Sequence, residues 1–589
     1  MIVFSYVLFG LLFLCSIYFS FKDKAHIVPY FFIPIFVFIV SEPLFYARYI
    51  DGIDAPDFLC ILNGMYYNVT HSLQIPYRIN ETILYGTQQP IFYHLTPCYL
   101  FIILRLFRLS EIVSLNIMLI VFQILTALFM YIASYRIFRS KNVAIASSVL
   151  LLCYQYRLGL LYGPFRLGEM IAFMLVPLFI LSVYELLCGD KKKVWLFAVS
   201  ASLLYQSHML TTYLYFMITV IVFIIWLIKT KDISRLKSIV YGSIIIFLIN
   251  LWYLIPQIYE FLFVDFVNPA FYNGQENYTV TAHFSLANIS DIYLVIIFIF
   301  IIVLIICFLF RLFNYKKYLM IKSSISDYNQ LKIAILFMLI GTLNYFNAYN
   351  IIPLYNLKYT MLSKMILVLQ FSDRFFVAAI PFITLGLPYI VKIILDFIIH
   401  SFNVHFIPKL KYSVFFLVML IIIFPSIRFM HNYFENNNMV PLLFPQYSLD
   451  YFLNGISSGK DFDYNNDILL SSDDIEIHLN GDGTFENRTD ISFDYYVEDY
   501  KDKSILLPLY SYPVYKVVDE NNNVVETKDG YNRLIEIELT KSRGSFKVCQ
   551  YEPPLWLFGD IVSLITFISI VVFYILQYIR SKKNAKVIA

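Results

Sequence analysis

Three aspartates stand in the segment Asp51-Gly-Ile-Asp54-Ala-Pro-Asp57, just after a long apolar run. A carboxylate at a membrane boundary could accept the proton of an attacking hydroxyl, or it could bind a metal ion. The competing interpretation is structural, because an aspartate that precedes a helix commonly caps it. Asp54 is the stronger candidate for chemistry, and Asp57 is a weaker second carboxylate.

Three arginines lie beside apolar segments, where they could bind a phosphate. Arg157 and Arg166 flank the turn Leu-Tyr-Gly-Pro, and Arg374 lies in Ser-Asp-Arg-Phe-Phe at the start of an apolar run. A planar guanidinium binds phosphate through two parallel hydrogen bonds. The alternatives are a side chain that snorkels to the membrane surface for the first two, and a pair with the neighbouring Asp373 for Arg374.

Glu169 opens an apolar segment and His208 ends one. Ionisable groups in membrane helices are expensive, so by default they indicate a functional site. An acid in a first helical turn also complements the helix dipole, and a histidine at a helix end is often a hydrogen-bonded interfacial residue. Lys364 is a further candidate at the same kind of boundary.

The composition of the chain is that of a membrane protein. Of its 589 residues, 59% are hydrophobic and 14% are charged, whereas soluble domains average about 25% charged residues. This excludes a soluble enzyme, a disordered chain and a nucleic-acid-binding protein. The charge is also uneven, because residues 431–553 carry 10 Lys and Arg against 22 Asp and Glu, and the remainder carries 34 against 19.

Thirteen segments are apolar enough to be candidate membrane spans, for which about 20 residues are needed. They run over 2–20, 27–46, 111–137, 143–160, 166–188, 194–208, 210–229, 237–256, 290–312, 331–349, 374–398, 412–429 and 555–579. If all thirteen cross the membrane, every basic cluster falls on one side, which the positive-inside rule makes the cytoplasm. The sequence therefore predicts an N-terminus outside, a cytoplasmic C-terminus, and the candidate residues at the outer surface.

The predicted outer face receives the loop 47–110, the segment 257–289 and the acidic insert 431–553. From about residue 474 the insert alternates as strands do, in IEIHL, ISFDYYV, SILLPLY, YKVVD, RLIEIEL and SFKVCQY. The predicted fold class is thus a polytopic α-helical membrane domain over 1–430, a small extracytoplasmic β-sandwich within 431–553, and a last membrane helix with a basic tail over 554–589.

Metal and disulfide chemistry stay open at this point. No ligand motif such as Cys-x-x-Cys or His-Glu-x-x-His is present, so no cofactor is implied and the use of a divalent cation is undetermined. Cys60 and Cys98 share one polar loop and could form a disulfide.

A set of motifs in chain order resembles a known family. The set comprises Asp54, the stretch from Leu73 to Arg78, the stretch Tyr85-Gly-Thr-Gln-Gln-Pro-Ile-Phe-Tyr93-His94-Leu-Thr-Pro97, the helix end Tyr135-Arg-Ile-Phe-Arg139, Gly168-Glu169, Gln206-Ser-His208, and Leu369 to Phe375. It resembles the GT-C glycosyltransferase arrangement. More narrowly, it resembles the bacterial YfhO-like membrane proteins, including those labelled 6-pyruvoyl-tetrahydropterin synthase-related. No residue pattern here indicates pterin chemistry.

The resemblance implies a glycosyltransferase that takes a sugar from a polyprenyl-phosphate donor and transfers it to a cell-envelope acceptor on the outer face. It implies that Asp54, with Asp57 as a second carboxylate, is the base. It further implies that Arg374, Arg157 and Arg166 bind the donor phosphate, and that Glu169, His208, Tyr93 and His94 orient substrate. The identity of the sugar and the oligomeric state stay open.

Two other functions compete with this interpretation. A transporter or flippase of a lipid-linked envelope component would spread polar groups through the membrane midplane and break its helices symmetrically. A non-catalytic envelope scaffold would use the β-domain to bind a polymer, and Asp54 would then be dispensable. A fold by itself does not decide among these functions.

Overall fold

The computed structural model describes residues 29–45, 52, 54–72, 89–263, 328–349, 372–401, 414–425, 492–530 and 534–588, with shorter pieces at 11, 296–302 (without 298), 368–369, 428, 476–478 and 483–486. The chain divides into two compact units. The first comprises Met1–Ala55, Thr96–Val240 and Asn277–Leu443, and the second comprises Pro56–Leu95, Tyr241–Glu276 and Phe444–Ala589. The predicted domain boundary at 430/431 lies outside the described residues.

The described chain is mostly helical, as its apolar periodicity predicts. The helices of eight residues or more are α1 Pro29–Ser41, α2 Ala55–Tyr67, α3 Tyr99–Leu106, α4 Glu111–Phe138, α5 Lys141–Leu152, α6 Gln155–Tyr162, α7 Leu167–Leu187, α8 Val194–Ser207, α9 Met209–Thr230, α10 Ile233–Ile249, α11 Leu251–Phe263, α12 Tyr328–Ala348, α13 Phe375–Ser401, α14 Val414–Pro425 and α15 Pro554–Ile588.

Six of the described helical segments are long and apolar enough to cross a membrane, and two bent pairs raise the number to eight. The bends measure 42° between α5 and α6 and 69° between α10 and α11. The predicted spans at 194–208 and 412–429 are shorter apolar helices, and those at 2–20 and 290–312 lie almost wholly outside the described residues. A membrane protein is therefore supported, and the count of thirteen and the sidedness stay predictions.

In the first unit, α12 and α13 approach each other closely at two glycines. A Cβ atom at Gly341 would lie 2.6 Å from Ile383 Cγ1, and one at Gly386 would lie 2.7 Å from the backbone oxygen of Ala334. Small residues at such crossings let helix backbones come near each other, which is how helices pack in lipid. This pair positions the N-terminus of α13, where a candidate arginine lies.

In the second unit, a serine side chain forms hydrogen bonds with backbone groups on both sides of the bend between α10 and α11. The break between α10 and α11 falls at Asn250 and frees backbone groups on both sides. The Ser563 hydroxyl of α15 donates to the carbonyl oxygen of Leu248 at 3.0 Å and accepts from the amide of Trp252 at 3.0 Å. An unsatisfied peptide group is costly in a membrane, so this contact stabilises the break.

The second unit also contains the predicted β-sandwich. Its strands are β1 Glu476–His478, β2 Gly483–Glu486, β3 Ser492–Val497, β4 Ser504–Tyr510, β5 Tyr515–Asp519, β6 Val524–Val525, β7 Thr527–Asp529, β8 Leu534–Glu538 and β9 Arg543–Gln550. They form an antiparallel sheet in the order β1-β4-β8-β7 and another in the order β2-β3-β9-β5-β6. Ile505 and Ile537 of the first sheet share one buried core with Val497, Val517 and Phe546 of the second.

Candidate functional site

Asp54 is held at the start of α2 by the turn that precedes α7. Its backbone amide donates to the carbonyl oxygen of Pro164 at 2.9 Å. Gly52 makes this approach possible, because a Cβ atom there would lie 2.5 Å from the carbonyl oxygen of Gly163. A glycine is thus required where the two backbones meet, and the contact fixes Asp54 next to the residues that open α7.

Arg166 and Glu169 lie at that opening. The backbone reaches it through Phe165, a residue in the left-handed region with φ 60°. Arg166 occupies the N-cap position of α7 and Glu169 lies in its first turn. The carboxylate of Glu169 is therefore near the positive end of the helix dipole, which stabilises its charge.

Arg374 and Asp373 belong to the 3-10 turn Ser372–Arg374, which runs directly into α13. The Arg374 guanidinium donates from Nη1 to the carbonyl oxygen of Leu369 at 2.9 Å. The sequence predicted an ion pair with the neighbouring Asp373 as the alternative to phosphate binding by Arg374. In the structure, Asp373 and Arg374 each form an ion pair with a residue about 200 positions earlier in the chain.

These residues form one network of ion pairs. Arg374 Nε lies 3.1 Å from Glu169 Oε1. Arg166 Nη1 lies 3.3 Å from Asp373 Oδ2 and 3.7 Å from Glu169 Oε1, and Arg166 Nε lies 3.9 Å from Asp54 Oδ2. We call these five residues (Asp54, Arg166, Glu169, Asp373 and Arg374) the ion-pair network. It brings together four of the predicted site residues from three distant parts of the sequence.

The carboxylates of the network differ in burial and in the number of their partners. The Glu169 side chain is 1% exposed, and it also accepts from the Tyr156 hydroxyl at 3.3 Å. The Asp54 side chain is 39% exposed, and it forms an ion pair with Arg166 at 3.9 Å. Burial raises the pKa of the Asp54 carboxyl above its ordinary value, while the charge of Arg166 acts in the opposite direction. Asp54 is therefore the more accessible of the two carboxylates.

His208 lies within electrostatic reach of the network. The His208 side chain is buried, and Arg374 and Arg166 are near enough for their charges to act on its ring. The ring nitrogen Nδ1 lies 2.7 Å from the Thr211 hydroxyl and accepts from the Thr211 amide at 3.2 Å, which caps α9. His208 is thus a buried group whose orientation is fixed by the helix that follows it.

Arg157 has a different environment from the other predicted phosphate-binding arginines. It is 2% exposed, and its guanidinium donates to the carbonyl oxygen of Leu152 at 2.8 Å, to Thr126 Oγ1 at 3.3 Å and to Gln123 Oε1. Among the described residues, none of these three hydrogen bonds goes to the ion-pair network. These bonds give Arg157 a structural role between α4 and α5, and its predicted role in phosphate binding stays a prediction.

Tyr93 and His94 belong to the second unit. The His94 ring packs edge-on against Trp252 with ring centroids 4.6 Å apart, and the Tyr93 ring packs against Phe58 at 5.9 Å. Asp57 lies in the first turn of α2, but its side chain is outside the part of the chain that the structure describes. Lys364 is outside it as well.

Two members of this environment were not predicted as site residues. Asp373 was considered only as a partner for Arg374, and Tyr156 was not considered. The signal for Asp373 was available, since it is a second ionisable residue at the start of an apolar run. Nothing local distinguishes Tyr156 among the 49 tyrosines of the chain.

Within the described residues, no group of three or more histidines, cysteines, aspartates and glutamates is arranged to hold a metal ion. Cys98 is a buried free thiol, so the possible disulfide between Cys60 and Cys98 is not formed.

No protein-family model matches the chain, and a comparison with curated proteins gives no match either. The arrangement itself offers one accessible carboxylate beside two guanidinium groups, which suits proton abstraction next to a bound anion.

Proposed function

We propose that this chain is a membrane glycosyltransferase of the GT-C type. It would transfer a sugar from a polyprenyl-phosphate donor to a hydroxyl of a cell-envelope acceptor, at the outer surface of the membrane. The observation that carries the proposal is the ion-pair network, in which the half-exposed carboxylate of Asp54 lies 3.9 Å from Arg166 and Arg166 shares Glu169 with Arg374. The orientation with the N-terminus outside and the C-terminus in the cytoplasm is part of this proposal.

The reaction divides between the carboxylate and the guanidinium groups. Asp54 accepts the proton of the acceptor hydroxyl while that oxygen forms a bond to the anomeric carbon of the sugar. The bond between the anomeric carbon and the donor phosphate oxygen breaks, and the electron pair leaves with the polyprenyl phosphate. Arg374 and Arg166 stabilise the charge that develops on this phosphate. Asp54 then releases its proton to water.

Asp54 suits the role of the base better than Glu169 does. Glu169 accepts from Arg374 and Tyr156 and lies near Arg166, so removing its charge would weaken the hold on both arginines. Among the described residues, Asp54 forms one ion pair, and its 3.9 Å distance is longer than the 3.1 Å between Glu169 and Arg374. Its side chain is 39% exposed, which leaves room for an acceptor hydroxyl. Glu169 accordingly positions the two arginines, and His208 orients substrate in this proposal.

The first test is the envelope glycan composition of a strain that lacks the protein. The strain is complemented with the wild type, with Asp54→Asn or with Asp54→Ala, after equal membrane levels of each have been confirmed. A matched control is Asp232→Asn, because Asp232 caps the helix α10 through Ser234 and asparagine caps helices equally well.

We expect a sugar decoration to disappear in the deletion strain and to return with the wild type and with Asp232→Asn. The two Asp54 variants should not restore it, and the missing sugar then identifies the donor. Full restoration by Asp54→Asn would remove Asp54 as the base. An unchanged glycan in the deletion strain would argue for transport or scaffolding instead.

A further inference from the structure

The ion-pair network contains more negative than positive groups, which is unusual for a site that would bind a phosphate. Three carboxylates (Asp54, Glu169 and Asp373) face two guanidinium groups (Arg166 and Arg374). A phosphodiester adds one more negative charge when it enters. Like charges within a few ångströms disfavour each other, so an anion binds well here only if one carboxylate loses its charge or releases its arginine.

Asp373 is the carboxylate that meets this requirement in the structure. Its Oδ2 atom accepts from Arg166 Nη1 at 3.3 Å, whereas its Oδ1 atom is buried and has no hydrogen-bond partner among the described residues. A buried carboxylate oxygen without a donor is costly. Adding a proton to the carboxyl group removes the charge that makes this burial expensive.

The other two carboxylates have more hydrogen-bond partners or more solvent than Asp373 has. Glu169 receives hydrogen bonds from Arg374 and Tyr156 and lies at the positive end of α7. Asp54 is the most exposed of the three, so water can solvate its charge. Two further titratable groups lie near the network: the Tyr156 hydroxyl, which donates to Glu169 at 3.3 Å, and His208, which is buried within electrostatic reach of the two arginines.

We propose that Asp373 is a positioning residue of the donor site, which holds Arg166 in the empty protein and releases it to the donor phosphate by taking up one proton from water. The ligand class is a lipid phosphodiester, and the inference rests on the proposed function. Arg166 exchanges its Asp373 partner for a phosphate oxygen, while Asp54 keeps its negative charge for the acceptor hydroxyl. Donor binding therefore consumes one proton. The charge of the network and the bound phosphate together then equals the charge of the network in the empty protein.

Binding of the methyl diester of a polyprenyl phosphate to the purified full chain in lipid nanodiscs tests the inference. This diester carries a single charge at every pH above about 3, so its own ionisation does not contribute to the pH dependence. The dissociation constant is measured between pH 5.5 and 8.5 for the wild type, Asp373→Asn, Asp54→Asn and the matched control Asp232→Asn. The uncharged polyprenol measures binding through the lipid tail alone.

For the wild type, we expect the dissociation constant to rise with pH, by at most tenfold per unit, because one proton is bound together with the ligand. Asp373→Asn imitates the protonated carboxyl, so it should bind the diester with a constant that does not change with pH. Asp54→Asn and Asp232→Asn should keep the slope of the wild type. Proton uptake by the wild type in weakly buffered solution gives a second measurement that needs no variant.

A wild-type constant that does not change with pH, or a slope that persists in Asp373→Asn, would overturn the role of Asp373. If the pH dependence disappeared in Asp54→Asn, the proton would be bound by Asp54 and not by Asp373, and the role of Asp373 would equally be overturned. Failure of the proposed function gives a different result, because the diester would then bind no more tightly than the polyprenol at any pH. Arg374→Gln would in that case change the dissociation constant of neither the diester nor the polyprenol.

Discussion

The pair formed by Glu169 and Arg374 should be the energetic centre of the first unit. Both side chains are largely buried, at 1% and 14% exposed, and their charged atoms lie 3.1 Å apart. At an effective dielectric constant of about 20, two unit charges at this distance attract each other by about 5 kcal/mol. Removing one partner of such a pair costs about 3–5 kcal/mol, because the other charge stays buried without compensation.

A double-mutant cycle measures this interaction directly. We expect Glu169→Gln and Arg374→Gln each to lower the free energy of unfolding by about 3 kcal/mol, and the double variant to lose clearly less than the sum. The coupling free energy should be about 2–3 kcal/mol, within the range seen for residues that share a network. The assay is reversible unfolding of the purified chain in mixed micelles, followed by tryptophan fluorescence.

The chain supplies a matched control on its surface. Lys528 and Glu538 of the β-sandwich also form an ion pair, but both side chains are more than half exposed. Water screens such a pair, so its coupling free energy should stay below about 1 kcal/mol. If the cycle for Glu169 and Arg374 gave no larger coupling than this exposed pair, burial would not control the strength of the network and our reasoning would be wrong.

Three further predictions follow from the same contacts. Burial raises the pKa of Asp54 above its ordinary value. Because a base must be ionised, the transfer rate should fall at low pH, and the midpoint of this acid limb should lie above the ordinary pKa of aspartate. Because Arg166 lowers this pKa, Arg166→Gln should move the limb of kcat/KM to higher pH, and an unmoved limb would assign it to another group. Gly52→Ala should reduce transfer at least about tenfold without changing membrane levels, since its new Cβ atom would lie 2.5 Å from the Gly163 carbonyl oxygen and displace the base; wild-type rates would contradict this. Gly341→Val should lower the unfolding free energy by about 1–3 kcal/mol through overpacking between α12 and α13, measured in the same micelle assay, and an unchanged value would show that the helices can separate.

Regular elements of this chain were predictable because they are encoded locally. The alternation in SILLPLY and YKVVD predicted two strands whose bounds the structure reproduces, Ser504–Tyr510 and Tyr515–Asp519. The short strands at Gly483–Glu486, Val524–Val525 and Thr527–Asp529 were missed, since two to four residues carry too little periodicity to be recognised. Apolar length likewise predicted α4, α7, α9 and α15, but not the bends within the two broken pairs.

The candidate site was predictable only as a collection of residue types. An ionisable residue at the edge of an apolar run is visible in the sequence, which is how Asp54, Arg166, Glu169 and Arg374 were found. The sequence did not distinguish Arg157 from Arg166, although the structure buries the first among polar groups of α4 and α5 and leaves the second in the ion-pair network. Which direction a long side chain takes depends on the helices packed around it.

Amino-acid composition and periodicity by themselves determined that this protein is a helical membrane protein with an acidic β-sandwich, because hydropathy and strand alternation act over a few neighbouring residues. Only the tertiary structure decided that Asp373 pairs with Arg166 and that the adjacent Arg374 pairs with Glu169. The physical reason is that an ion pair forms between the charges that packing places together, and here the packing of α7 and α13 joins residues about 200 positions apart.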